Sequence, residues 1–247
     1  MNLHQCFLTD NLCYQAGEKM KPKGIMVHST GANNPSLKRY VGPDDGFLGE
    51  NVYGNHWNTA TPGGRKACVH AFIGKLEDGT IATYQTLPWD YRGWHAGGSA
   101  NNTHIGFEIC EDDLTDKVYF QKVYREAVEL CAYLCKQYDL TEQDIICHSE
   151  GYKKGIASNH GDVMHWFPKH SKSMDAFRAE VKAELDRLEK SLADNTAASW
   201  SADAVNWAVS SGLMAGDANG NLMLRSPLTR EQFCVMLKRY HDQFHTA

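Results

Sequence analysis

The sequence predicts a layered α/β domain, a sheet covered by helix, followed by a small helical module. Three observations carry this. Short apolar runs, Gly24-Ile25-Met26-Val27 and Ile145-Ile146-Cys147, lead into His28 and His148 and read as buried strands. Residues 117–138 switch to helical spacing, with Tyr119, Val123, Ala127, Leu130 and Leu134 on one face and Arg125, Glu126, Glu129 and Lys136 elsewhere. A small polar stretch, residues 193–199, then separates this part from two short helical patterns. Strands that alternate with loops and helices over such a length imply a sheet with helices packed on it.

Taken in order, the first strand covers residues 24–28, bounded by Pro22 and Gly31. Residues 31–64 then dissolve into Asn, Gly, Pro and Asp while carrying Tyr40, Phe47, Tyr53, His56 and Trp57. A connection this long inside a compact domain is usually functional, and its aromatics suit a groove for a sugar or peptide. Equally, Tyr53 and Trp57 could pin the loop to the core. Residues 66–73 and 80–85 flank Glu77-Asp78-Gly79, a strong hairpin signal, and strand alternation sets His70 on the side of Cys68 and Phe72.

An aromatic loop containing Trp94 and His95 closes on Gly97-Gly98, and residues 104–110 follow as a strand with Glu108 between Phe107 and Ile109. A carboxylate inside an apolar strand points to a paired or functional group. The helix at 117–138 covers the sheet, residues 144–147 deliver His148, and residues 174–192 form a second helix rich in Ala, Glu, Lys, Leu and Arg. The expected domains are therefore 1–192, a linker at 193–199, and a module at 200–247 with helical patterns at 201–212 and 229–244. Fewer than fifty residues make that module marginal by itself.

A formal charge of -5 and a pI near 6.2, with no concentrated Lys/Arg run, exclude a nucleic-acid binder that works by neutralising many phosphates. No apolar stretch reaches bilayer-spanning length, so membrane insertion is not expected. The first ten residues lack a basic and then apolar signal pattern, so the expectation is cytoplasmic synthesis without a Sec-type signal. The eight cysteines are scattered, often among apolar neighbours and without a CxxC pair, and read as reduced core residues.

Two strand-end histidines, His28 and His148, together with a loop carboxylate at Asp162, would make an open zinc site. Zinc with three protein ligands and a water acidifies that water to a pKa of about 7 and polarises a carbonyl, which suits cleavage of an unactivated amide. Such spacing alone is a weak signal in a chain with twelve histidines.

A resemblance adds to it. Val27-His28-Ser29-Thr30, the segment from Val69-His70 to Asp78-Gly79, Gly93-Trp94-His95-Ala96-Gly97, Ile105-Gly106-Phe107-Glu108 and Cys147-His148-Ser149-Glu150 resemble, in order, the blocks of the zinc-dependent N-acetylmuramoyl-L-alanine amidases of type 2, the superfamily that includes the peptidoglycan-recognition proteins and many phage endolysins. The resemblance spans roughly residues 22–188. It implies a central mixed β-sheet flanked by helices with zinc in a groove, His28 and His148 as ligands, and Asp162 as the third. It further implies Glu108 as general base. Where the family commonly has a lysine two residues before the third ligand, this chain has His160. That imidazole could stabilise an oxyanion or could itself be the third ligand, with Asp162 behind it. His70 and His95 fall where residues would line the substrate groove or orient their neighbours, while Trp94 and the Trp57 region could stack on glycan or stem peptide or else pack in the core.

The tail, from Trp200-Ser201-Ala202-Asp203 through Gly212-Leu213-Met214 to Leu228-Thr229-Arg230-Glu231, resembles one S-layer-homology repeat. This implies binding to a secondary cell-wall polymer, with self-association as its rival. The activity implied is hydrolysis of the amide between N-acetylmuramic acid and L-alanine in peptidoglycan, by an endolysin-like protein acting on the bacterial wall after release. The alternatives are a non-catalytic peptidoglycan binder on the same fold and a zinc peptidase acting on the stem peptide.

Overall fold

The computed structural model describes residues 1–244. The chain separates into two compact units, 1–184 and 185 onward. Among the described residues of the first, a six-stranded mixed sheet runs in the order β1 (Leu3–Gln5), β4 (Ile81–Gln85), β3 (Ala71–Lys75), β5 (His104–Ile109), β2 (Gly24–Ser29) and β6 (Ile145–Cys147). β3, β5, β2 and β6 are mutually parallel, while β4 is antiparallel to β3. The parallel core explains the continuous apolar runs, because a strand flanked and covered on both faces has no side to give to water. Ile25, Met26 and Val27 are accordingly fully buried.

α1 (Leu12–Ala16) is a single short turn of helix capped by Asn11, whose side chain accepts from the Cys13 N–H. α2 (Lys117–Tyr138) has the ends the periodicity predicts. Asp116 caps its first turn by accepting from the N–H groups of Val118 and Tyr119, and Asp139 closes it in a left-handed conformation. Its buried face, including Phe120, Val123, Ala127 and Leu134, lies against the sheet. α3 (His148–Lys153) starts directly from β6, and α4 runs Met174–Asn195. In the second unit, α5 (Ala202–Ser210) and α6 (Arg230–Phe244) flank a turn in which Asp217 accepts from the N–H groups of Asn219 and Asn221. No helix among the described residues is long and apolar enough to cross a membrane.

Several expectations need correction. The strand at residues 24–28 is not the first, since Leu3–Gln5 pairs in parallel with β4 at the sheet edge. The hairpin is present, but its first strand begins at Ala71, and Cys68 pairs instead with Trp94 in an isolated bridge. Helix α4 continues to Asn195, three residues into the stretch expected to be a linker, and the division between units falls at 184/185, inside that helix. Finally, not every cysteine is a reduced core residue. Cys13 on α1 and Cys68 form a disulfide with Cα atoms 6.5 Å apart, a pairing across 55 residues that linear spacing cannot reveal. The remaining six are free, and of these Cys110, Cys131, Cys135 and Cys147 are buried.

Candidate functional site

His28 sits near the end of a strand that lies between two parallel neighbours, so its position is fixed by ladders on both sides. On one side it is in register with Glu108, which brings an imidazole and a carboxylate side by side on one face. On the other side Val27 pairs with Cys147, so His148 emerges one residue further along. His148 is thus not the end of a strand but the first residue of α3. That helix start is anchored. Glu150 accepts from the Cys147 N–H at 3.0 Å and is gripped by both terminal nitrogens of Arg178 on α4, at 3.0 and 3.1 Å.

Asp162 arrives from a 3-10 turn, Asp162–His165, with φ of 43°. The left-handed region is unusual for a residue with a side chain, and such strain persists only where surrounding contacts enforce it. Here the far end of the turn is tied down by His165, whose Nε2 lies 3.0 Å from a carboxylate oxygen of the buried Glu111.

Three atoms converge. The Asp162 Oδ2 is 3.1 Å from His28 Nδ1 and 2.9 Å from His148 Nδ1, and the two Nδ1 atoms are 3.2 Å apart. Two imidazole nitrogens and a carboxylate oxygen form the donor set of catalytic zinc sites, and zinc bonds of about 2.0–2.1 Å at tetrahedral angles imply donor separations of about 3.3 Å. The triangle therefore fits a first-row metal ion. Among the described residues this is the one group of three or more His, Cys, Asp or Glu side chains with such convergence.

The electrostatics agree with this geometry. Burial would raise the Asp162 carboxyl, but the close approach of the His148 and His28 imidazoles outweighs it and holds the group well below the usual carboxylate range. Burial lowers the His28 imidazole, against the pull of Asp162 and with a further push from His148 and His160. Glu108 goes the other way. Burial first, then repulsion from Asp162 and Glu111, raises its carboxyl well above the ordinary value, and its buried Oε2 has no hydrogen-bond partner.

His160 is exposed and stacks on the His148 ring at 4.9 Å, outside the converging triangle. His70 is corrected: it is fully buried, its Nδ1 accepts from the Gly106 N–H at 3.0 Å and its Nε2 donates to the Tyr91 carbonyl at 2.8 Å, so it cannot touch a substrate. Burial pushes its imidazole down to about 4. His95 is half-buried, with one nitrogen 2.9 Å from His28 and the other 3.1 Å from the His104 carbonyl, so it stands directly behind His28.

Trp57 is half-buried and packs edge-on against Phe72 with ring centroids 5.1 Å apart, which is the pinning role, while Tyr53 stays exposed. Trp94 is half-buried against the Cys13–Cys68–Leu87 cluster, with the Lys66 ammonium 4.8 Å from its ring centroid. Ser158, whose hydroxyl lies 3.1 Å from His148 Nε2, and the Glu111–His165 pair have no signature in the sequence. A serine among Ile156, Ala157 and Asn159 looks like any loop residue.

A family model described as N-acetylmuramoyl-L-alanine amidase matches residues 18–165, which spans β2, β3, β4, β5, α2, β6 and the Asp162 turn. The chain belongs to this amidase family. A second model, described as S-layer homology domain, matches residues 193–234. The N-acetylmuramoyl-L-alanine amidase XlyA of Bacillus subtilis (strain 168) is 34% identical over 106 residues, covering 38% of this chain and 34% of that protein. CwlH, an N-acetylmuramoyl-L-alanine amidase of the same strain, is 35% identical over 79 residues, covering 30% of each. The similarity thus spans about a third of these relatives' length. Among solved structures, the catalytic domain of XlyA superposes with a TM-score of 0.51 at 24% identity, covering 73% of this chain and 99% of that one. The amidase-family fold is the mixed sheet with covering helices described above.

Proposed function

We propose that this amidase-family chain hydrolyses the amide between N-acetylmuramic acid and L-alanine in bacterial peptidoglycan, using zinc held by His28, His148 and Asp162. The observation that carries the reading is the triangle of two Nδ1 atoms and one carboxylate oxygen beside the register-paired Glu108. Zinc bound there would supply Lewis acidity, lowering a water's pKa to about 7 and polarising the scissile carbonyl.

The protein's own groups do the remainder. Glu108, made more basic by burial and carrying a free Oε2, takes the proton of the attacking water and returns it to the leaving amine. His160, stacked on His148 and open to solvent, offers an N–H to the oxyanion of the tetrahedral intermediate. Arg178 and Glu150 hold the start of α3, and with it His148, against the sheet.

The proposed division of labour puts catalysis in residues 1–192 and attachment to a secondary wall polymer in residues 200–247, where most of the S-layer homology match over residues 193–234 lies. The protein then acts at the cell wall. The test is mass spectrometry of muropeptides digested by the zinc-loaded chain. Free lactyl-muramic ends are expected, and they should disappear with His28→Ala or with chelator. New peptide termini, or equal activity in His28→Ala, would sink the reading.

A further inference from the structure

Each ring of the metal triangle keeps its second nitrogen turned away from the centre, and each of those nitrogens meets a specific partner. His28 Nε2 lies 2.9 Å from His95 Nδ1, and His95 Nε2 lies 3.1 Å from the main-chain carbonyl of His104. His148 Nε2 lies 3.1 Å from Ser158 Oγ, and Ser158 Oγ lies 3.3 Å from the main-chain carbonyl of Ala96. A carbonyl can only accept, which fixes the direction of the first chain, and with the Ser158 hydroxyl donating to Ala96 the second runs the same way.

Along the first, His95 Nε2 must donate to His104. A neutral imidazole then has only a lone pair at Nδ1, and it accepts from His28 Nε2–H. Along the second, the single Ser158 hydroxyl proton goes to Ala96, and the oxygen accepts from His148 Nε2–H. Both ligands are left in one tautomer with an Nδ1 lone pair facing Asp162.

We propose that His95 and Ser158 are positioning residues that lock His28 and His148 in the Nε2–H tautomer, so that the centre becomes a cage of three acceptors that only a cation can fill. This rests on reading the triangle as the metal centre. With two lone pairs and a carboxylate oxygen 2.9–3.2 Å apart, the atoms repel one another until a positive charge sits among them.

The backbone is shaped for the two relays. A Cβ on Gly106 would stand 2.4 Å from His95 Cγ and Nδ1, and one on Gly97 would stand 2.6 Å from Ser158 Oγ. Gly97 also has φ of 64°. These glycines leave room for the imidazole and the hydroxyl. The Ser158 N–H adds a second tie, donating to the same Ala96 carbonyl at 2.8 Å.

The test is zinc affinity of the full chain by chelator competition, together with 15N signals of the imidazoles in the metal-free protein. His95→Leu and Ser158→Ala should each weaken zinc about 10- to 100-fold, the usual effect of losing an outer partner of a ligand histidine. His95→Asn, whose Oδ1 lies where Nδ1 lies and still accepts, should recover most of the loss. The spectra should show His28 and His148 protonated at Nε2 in the wild type. In His95→Leu the His28 tautomers should mix while those of His148 do not.

Wild-type affinity in both His95→Leu and Ser158→Ala, or Nε2 found unprotonated on His28, overturns the proposal and leaves the metal centre standing. If the wild type binds zinc no better than Asp162→Ala, the metal centre itself falls, and the proposal with it. Should His95→Leu not fold, Ser158→Ala and the wild-type spectra decide.

Discussion

In the first unit Phe72, Phe107, Phe120, Phe167 and Trp166 are fully buried, whereas in the second Trp200 is 89% exposed and Phe233 and Leu237 remain 52% and 51% exposed. The same residue types meet opposite fates because the units differ in what they can build. Residues 1–184 suffice for a sheet with helices packed on it, and the metal triangle sits where three of its parallel strands end. The second unit has the end of α4, two further helices and a turn, and among its described residues Leu185 and Leu213 are the buried apolar ones. Chemistry needs groups held in place, and only the first unit has the packing to hold them.

The largest effect that would sharpen this contrast is chemical. Glu108→Gln should lower turnover by about 10²–10⁴-fold, the usual share of a general base, while zinc content and any wall-polymer binding by the second unit stay unchanged. Rate and metal analysis on the purified variant would show it. Equal loss of metal and rate would reassign Glu108 from proton transfer to holding the site.

Next comes packing. Phe107→Ala, beside Glu108 in the centre of the sheet, should cost about 3–5 kcal/mol in denaturant unfolding. Phe233→Ala on the exposed face of α6 should stay within about 1 kcal/mol. Similar costs at the two positions would break the comparison.

A smaller effect is pH-dependent. His70 has its imidazole pushed down to about 4 by burial, despite its bond to the Tyr91 carbonyl. The unfolded chain therefore takes up that proton first as pH falls. Stability from this residue is complete above about pH 6.5 and declines through the window to about pH 4, where about 3 kcal/mol is lost. Urea unfolding across that window should be steeper in its pH dependence for the wild type than for His70→Gln, and identical slopes would exclude the assignment.

Much of this was legible along the chain. The boundaries of α2 follow from the spacing of its apolar residues and the Asp116 cap, because both are local. The strand ending at His28 and the Asp-Gly hairpin are local as well. Glu108 stood out as a charge in an apolar strand, and its register with His28 gives that charge a neighbour. The misses have a common cause. The short β1 pairs with a strand about eighty residues away in sequence, Cys13 bonds Cys68 across 55 residues, and His70 is enclosed by Gly106 and by the loop of Tyr91 and His95, which only the fold brings to it.

The sequence by itself determined the longer helices, most of the strands and the residue types able to hold a metal, since periodicity, capping and composition act over a few residues. Tertiary structure alone decided which nitrogen of each histidine faces Asp162, that His160 stands outside the triangle, and that His95 and Ser158 stand behind it. Such choices depend on distances between segments far apart in the chain, and those distances exist only once the sheet has formed.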